Sequence, residues 1–156
     1  AETVSDDFLG TYDSKVNTGI TGGVEADSIT IYTSAEIDKA GMMWDNDKDK
    51  TFDSIYKMDA LKGKDKYTVF FGGNHSVTDI KTENKTGKTL LVIKDSFAHN
   101  LAPFLIKDYD RIIMLDLRYF NKSLKKYLTE NEITDLLVLY STPDFAEDAN
   151  IGRLLR

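Results

Sequence analysis

Thr89 to Pro103, TLLVIKDSFAHNLAP, is the stretch on which the reading of this chain turns. Its apolar residues run without a break from Leu90 to Ile93, and a strand shows that pattern when both of its faces are covered. Asp95 and Ser96 follow, two residue types that favour helix starts, and Phe97, Leu101, Phe104 and Leu105 then recur near helical spacing. The pattern predicts a strand over Thr89–Lys94 and a helix running to about Lys107. A serine at such a junction holds its hydroxyl at the carboxyl edge of the sheet, beside backbone N–H groups able to stabilise an oxyanion. The same pair also serves as an ordinary helix cap, so the local sequence leaves nucleophile and cap both open.

Downstream the alternation continues, with strands expected at Arg111–Leu117 and Asp135–Tyr140 and a helix from about Lys122 to Glu130. Upstream the pattern changes. Turn-rich stretches at Asn17–Gly23, Asp45–Lys50 and Lys62–Lys66 separate β-prone runs at Ser28–Thr33, Met42–Trp44, Phe52–Met58 and Tyr67–Phe71, which are expected to add antiparallel or edge strands. No repeat or Pro-rich linker breaks the chain, and 156 residues form one expected domain over 1–156. If the units on either side of the Thr89 strand wind in opposite senses, as in flavodoxin-like sheets, their loops converge on one crevice. Those loops carry Asp95 and Ser96, Asp116 to Arg118, and Tyr140 to Thr142.

Composition excludes several classes. A net charge of −6 argues against a nucleic-acid partner, which requires clustered Lys and Arg. No apolar run approaches the roughly 18 residues needed for a membrane-spanning helix. The chain has no cysteine, so disulfides, thiol catalysis and zinc-thiolate sites are out, and no cofactor is expected. The acidic run Asp45-Asn46-Asp47-Lys48-Asp49 begins like a calcium loop, but Lys50 stands where a glycine is required and Tyr56 where a bidentate Glu belongs. It reads instead as a solvated hairpin turn, and no metal site is expected.

Several phrases together carry a resemblance: FLGTYDSKV, FFGGNH, KTGKTLLVIKDSFAHNLAPFL, RIIMLDLRYF and DLLVLY. The chain resembles, from roughly Phe8 to Tyr140, the carboxyl-terminal part of the DHHW family of Gram-positive bacteria, grouped with the alginate O-acetyltransferase-like branch of the SGNH hydrolases. KDSF resembles the first block of that superfamily, whose serine is the nucleophile. The resemblance implies a three-layer α/β sheet, mostly parallel, and a serine acyl-ester hydrolase or O-acetyltransferase at the cell surface, acting on acetylated polysaccharide with an acyl donor. It implies Ser96 as nucleophile, Asp95 fixing the turn, and Gly73 and Asn74 as the local match for an oxyanion hole. The string that names the family is absent. The histidines are His75 and His99 and the one tryptophan is Trp44, so the chain is expected to be the downstream portion of a longer protein and inactive as it stands.

A serine needs a base. His75, after two glycines that permit a tight turn, is the candidate for that part, or else a turn histidine without a catalytic role. His99 lies three residues after Ser96, a spacing that rarely gives in-line hydroxyl-to-imidazole geometry. Arg118 can bind a substrate oxygen through its planar guanidinium, or pair with Asp116 to fix its loop. The reading from another class is a non-catalytic surface module that binds a glycan or a protein on the same scaffold.

Overall fold

The computed structural model of the protein describes residues 1–10 and 25–155. The expected turn at Asn17–Gly23, and FLGTYDSKV beyond Gly10, lie outside the described residues. The chain divides into two compact units, one of Ala1–Ser34 with Tyr56–Gly73 and one of Ala35–Ile55 with Asn74–Arg156.

The first unit holds two antiparallel strands, β1 (Glu2–Phe8) and β2 (Asp27–Ile31), paired from Glu2 opposite Ile31 to Phe8 opposite Asp27. Ile29 and Ile31 are buried, and Lys66 pairs with Asp7. The expected strand at Tyr67–Phe71 is absent. Lys66–Val69 is instead a 3-10 turn, closed by Thr68 Oγ1 donating to the Asp65 carbonyl (2.7 Å). Aromatic packing decides this: Tyr67 meets both Phe8 and Phe70, and Tyr56 meets Phe70 edge-on at 6.0 Å. Phe71, Gly72 and Gly73 all take positive φ, the tight turn anticipated from the two glycines.

The second unit is built on six strands. β3 (Gly41–Trp44), β4 (Thr51–Phe52), β5 (Val77–Lys81), β6 (Thr89–Lys94), β7 (Arg111–Leu115) and β8 (Asp135–Leu139) lie in the order β4-β3-β5-β7-β6-β8. Helices α1 (Ala98–Leu105), α2 (Leu124–Glu130) and α3 (Thr142–Glu147) follow β6, β7 and β8. The expectation of a three-layer, mostly parallel SGNH or flavodoxin-like sheet is overturned: three of the five pairings are antiparallel and only β6 with β7 and with β8 run parallel. β5 enters against β7 in the opposite direction and brings β3 and β4 with it. The sheet is therefore mixed, and β6 stands fifth of six rather than at its middle.

Within the parallel part the local reading held. β6 spans Thr89–Lys94 as expected, and Leu90 to Ile93 are all buried, so the unbroken apolar run does reflect two covered faces. β7 and β8 flank it in opposite senses. Leu91, Ile93, Ile113 and Leu115 meet Leu117, Phe120, Leu124 and Tyr127 on the face covered by α2. Right-handed crossovers then assign α1, with its buried Ala98 and Ala102, to the opposite face. The KTGK phrase has a structural reason: Asp110 accepts from Thr86 N–H, Thr86 Oγ1 and Gly87 N–H and so ties the approach to β6 to the start of β7.

Candidate active site

Asp95 is wholly buried and is the anchor of the corner between β6 and α1. One carboxylate oxygen accepts from Phe97 N–H (2.9 Å) and the other from Ser141 N–H (2.7 Å), so a single side chain ties the turn after β6 to the turn after β8. A buried carboxylate is tolerable only with such partners. The N-cap of α1 is Phe97, so Ser96 stands just outside the helix, partly exposed, and its carbonyl accepts from His99 N–H (3.2 Å). Asp144 on α3 is raised above the usual carboxylate range, by loss of solvent and by a hydrogen bond to Asp95.

Behind the corner lies a charge that sequence reasoning missed. Lys94, the last residue of β6, is fully buried, and its Nζ donates to Asn74 Oδ1 (2.9 Å) and faces His99 Nε2 at 2.9 Å. Asp116 Oδ2 lies 3.7 Å away. Burial pushes the ammonium down to about 8, although Asp116 pulls the other way. Burial and the nearby Lys94 also hold His99 far below its ordinary value, so its ring is neutral, with Nε2 as acceptor toward the ammonium. The signal in the sequence is slight: a lone lysine that closes the unbroken apolar run from Leu90 to Ile93.

Arg118 forms the anticipated ion pair. Its Nε and Nη2 donate to the two Asp116 carboxylate oxygens at 2.9 and 2.7 Å, and Asp116 also accepts from Arg118 N–H. That bidentate pairing raises the guanidinium's affinity for its proton. One third of the Arg118 side chain remains exposed, at the edge of an open cleft of about 310 Å³ that Tyr140, Asp144 and Asp148 also line.

His75 stacks on Trp44 at 4.1 Å, with its Nδ1 4.0 Å from Asp45 Oδ2. Asp45 loses solvent, yet hydrogen bonds from Ser76 Oγ and Val77 N–H outweigh that and hold it below its ordinary value, with His75 adding to the effect. The acidic run read as a solvated turn thus supplies an oriented carboxylate beside His75. Asp45 and Asn46 both have positive φ, as a tight reversal between β3 and β4 demands.

The second unit therefore joins Asn74, His99 and Asp116 at Lys94 and ties Arg118 to Asp116, linking the loop before β5 to the ends of β6 and β7, while His75 packs on Trp44 beside Asp45. Gly73 falls in the first unit, where an added Cβ would lie 3.2 Å from Thr68 Cγ2 at a φ of +95°. The expected strand end at Leu117 is corrected slightly: β7 stops at Leu115, and Asp116 already turns, accepting through its carbonyl from Tyr119 and Phe120 N–H.

Comparison with solved structures sets the fold in context. A DHHW family protein from Eubacterium siraeum DSM 15702 matches with a TM-score of 0.69 at 26% identity, over 85% of this chain and 44% of that one. Bacillus cereus PatB1 with a sulfonyl adduct matches at 0.63 and 22% identity, over 80% of this chain and 45% of that one. Another PatB1 structure matches at 0.61 and 22%, over 82% and 44%. The chain thus spans less than half the length of these proteins, and the PatB1 likeness is one of fold. No curated protein matches. The family model described as DHHW protein matches residues 2–115, across β1 to β7 and through the whole serine corner, and the chain belongs to the DHHW family.

Proposed function

We propose that the Asp95–Ser96 corner carries the nucleophile of a serine enzyme of the SGNH kind that transfers or hydrolyses acyl esters, handling O-acetyl groups on glycan outside the cell. The observation that carries the reading is the place of Ser96: partly exposed, two residues beyond the end of a buried strand, on a turn held rigid by both oxygens of Asp95. Family membership supports it, as does the sulfonyl adduct of PatB1, since sulfonyl reagents mark nucleophilic side chains.

In this reading Ser96 Oγ attacks the ester carbonyl while its proton passes to a base, and the sugar alcohol leaves with a proton from that base. Water or a second hydroxyl then takes the acyl group from Ser96. Asn74 Nδ2 and N–H groups at the start of α1 hold the oxyanion, while Gly73 lends the preceding turn its conformation. His75, oriented by Asp45, is the base this chain itself offers, and Arg118 binds a substrate oxygen at the cleft edge. Treatment of the full-length protein with phenylmethylsulfonyl fluoride tests the reading. Mass spectrometry should find the adduct on Ser96 and lose it in Ser96→Ala; an unmodified Ser96 would count against the proposal.

Exposed aromatic side chains beside the corner, Phe97 and Tyr119, favour a second reading, a glycan- or protein-binding surface without chemistry. That reading gains if Ser96→Ala leaves binding to acetylated polysaccharide intact and no turnover is found in the parent protein.

A further inference from the structure

An amide side chain has two ends of similar shape, and the partner of one end decides where the other points. Asn74 is exposed, but its Oδ1 is held by the buried Lys94 ammonium at 2.9 Å. An ammonium has three donors and no acceptor, so it accepts no bond from the amide NH2 and repels it. The carbonyl must therefore face Lys94 and the NH2 must face away. Lys94 is itself fixed, by His99 Nε2 at 2.9 Å and by Asp116 at 3.7 Å, and it is the residue that immediately precedes Asp95 and Ser96.

We propose that Lys94 is a positioning residue of the serine site: clamped between His99 and Asp116, its ammonium sets the Asn74 amide so that Nδ2 is presented as an oxyanion donor. This rests on the acyl-transfer reading above. Lys94 touches no reacting atom; it acts through Asn74.

The clamp also makes the orientation depend on protonation. As a neutral amine Lys94 gains a lone pair and accepts a hydrogen bond as readily as it donates one, so the Asn74 amide loses its single preferred orientation. The groups that set this equilibrium are Asp116 and Asp95, which favour the charged form, and Arg118, which opposes it together with burial. His99 faces the same nitrogen as a neutral ring.

The test is made on the full-length protein. The Asn74 side-chain NH2 signals, identified by their loss in Asn74→Ala, should shift with pH around a midpoint near 8. That titration should vanish in Lys94→Met. In parallel, Asn74→Ala should slow phenylmethylsulfonyl fluoride modification of Ser96 by about 100-fold, the usual effect of one oxyanion donor. Lys94→Met should slow it by a similar factor, and the double variant should be no slower than either single one. If Ser96 is not modified in the unaltered protein, the acyl-transfer reading fails, and this proposal with it. If Ser96 is modified but the Asn74 signals do not titrate, or Asn74→Ala reacts at the unaltered rate, the Lys94 proposal fails alone. Because Asn74 is exposed and the titration uses the unaltered protein, the outcome stands even if Lys94→Met does not fold.

Discussion

At the scale of single residues, the fully buried Lys94 puts a positive charge at the end of a strand whose other residues are almost all apolar. Burial lowers its proton affinity to about 8, whereas a lysine in the unfolded chain titrates near about 10.4. Between those values the unfolded chain binds more protons than the folded one, so stability rises with pH. Urea midpoints should increase from about pH 7.5 to 9.5, by a free energy on the order of 2 kcal/mol. Above that range the trend reverses, because burial keeps Tyr127 and Tyr140 protonated in the folded chain while unfolded tyrosines ionise. A flat profile, or a rise that survives Lys94→Met, would show that the charge is better solvated than its surroundings suggest. Sequence reading singled out Ser96, Asp95, Asn74 and Arg118 because each sits beside a recognisable strand end or turn. It missed Lys94, since lysine is almost never fully buried unless paired and the partners come from positions 74, 99 and 116. It missed Asp45 for a similar reason: in a run of acids and lysines nothing marks the one carboxylate that hydrogen bonds have fixed.

Among the elements, legibility follows periodicity. β6, β7 and β8 were readable because continuous or alternating apolar runs map directly onto covered faces, and the sheet buries Leu91, Ile113 and Leu115 completely. The runs at Phe52–Met58 and Tyr67–Phe71 misled because aromatic residues score as strand formers but also pack on one another. Only Thr51–Phe52 forms a strand there; Asp53 to Lys57 is irregular apart from a single bridge between Tyr56 and Phe70, and Met58 and Lys66–Val69 fall in 3-10 turns. β6 is the element on which the serine corner depends. Leu91→Ala would remove buried atoms from the cluster that includes Leu115, Leu117 and Phe120, at a cost of about 2–5 kcal/mol measured by chemical denaturation. A cost below about 1 kcal/mol would mean that the site collapses around the smaller side chain.

For the whole molecule, the sequence identified the winding about β6 but not the sheet as a whole. The direction in which β5 enters beside β7 is fixed by register across 30 residues of chain and not by any local pattern. Among the described residues no helix is long and apolar enough to cross a membrane. Because the chain spans less than half of the solved proteins it matches, the activity of the whole protein is tested apart from that of this segment. On its own, this chain is expected to cleave a small activated acetyl ester at or near background, since a general base supplies about 100- to 10,000-fold and His75 Nδ1 stands 4.0 Å from Asp45 Oδ2, longer than a hydrogen bond. Turnover well above background that Ser96→Ala abolishes would make His75 the base, with His75→Ala as the deciding variant.

The two hydrogen bonds to Asp95 make the corner vulnerable from far along the chain. Ser141, 45 residues after Ser96, holds one oxygen of Asp95 through its backbone N–H, and its φ of −64° is one that proline adopts without strain. Ser141→Pro would therefore delete that donor, together with the hydroxyl that caps α3, while leaving every residue of the turn in place. Asp95 would keep Phe97 N–H but lose its tie to the turn after β8, and Ser96 would be loosened by a change that no inspection of its own neighbourhood in the sequence would flag. In a collection of natural variants, a damaging substitution at Ser141 belongs to the support of the Asp95–Ser96 corner.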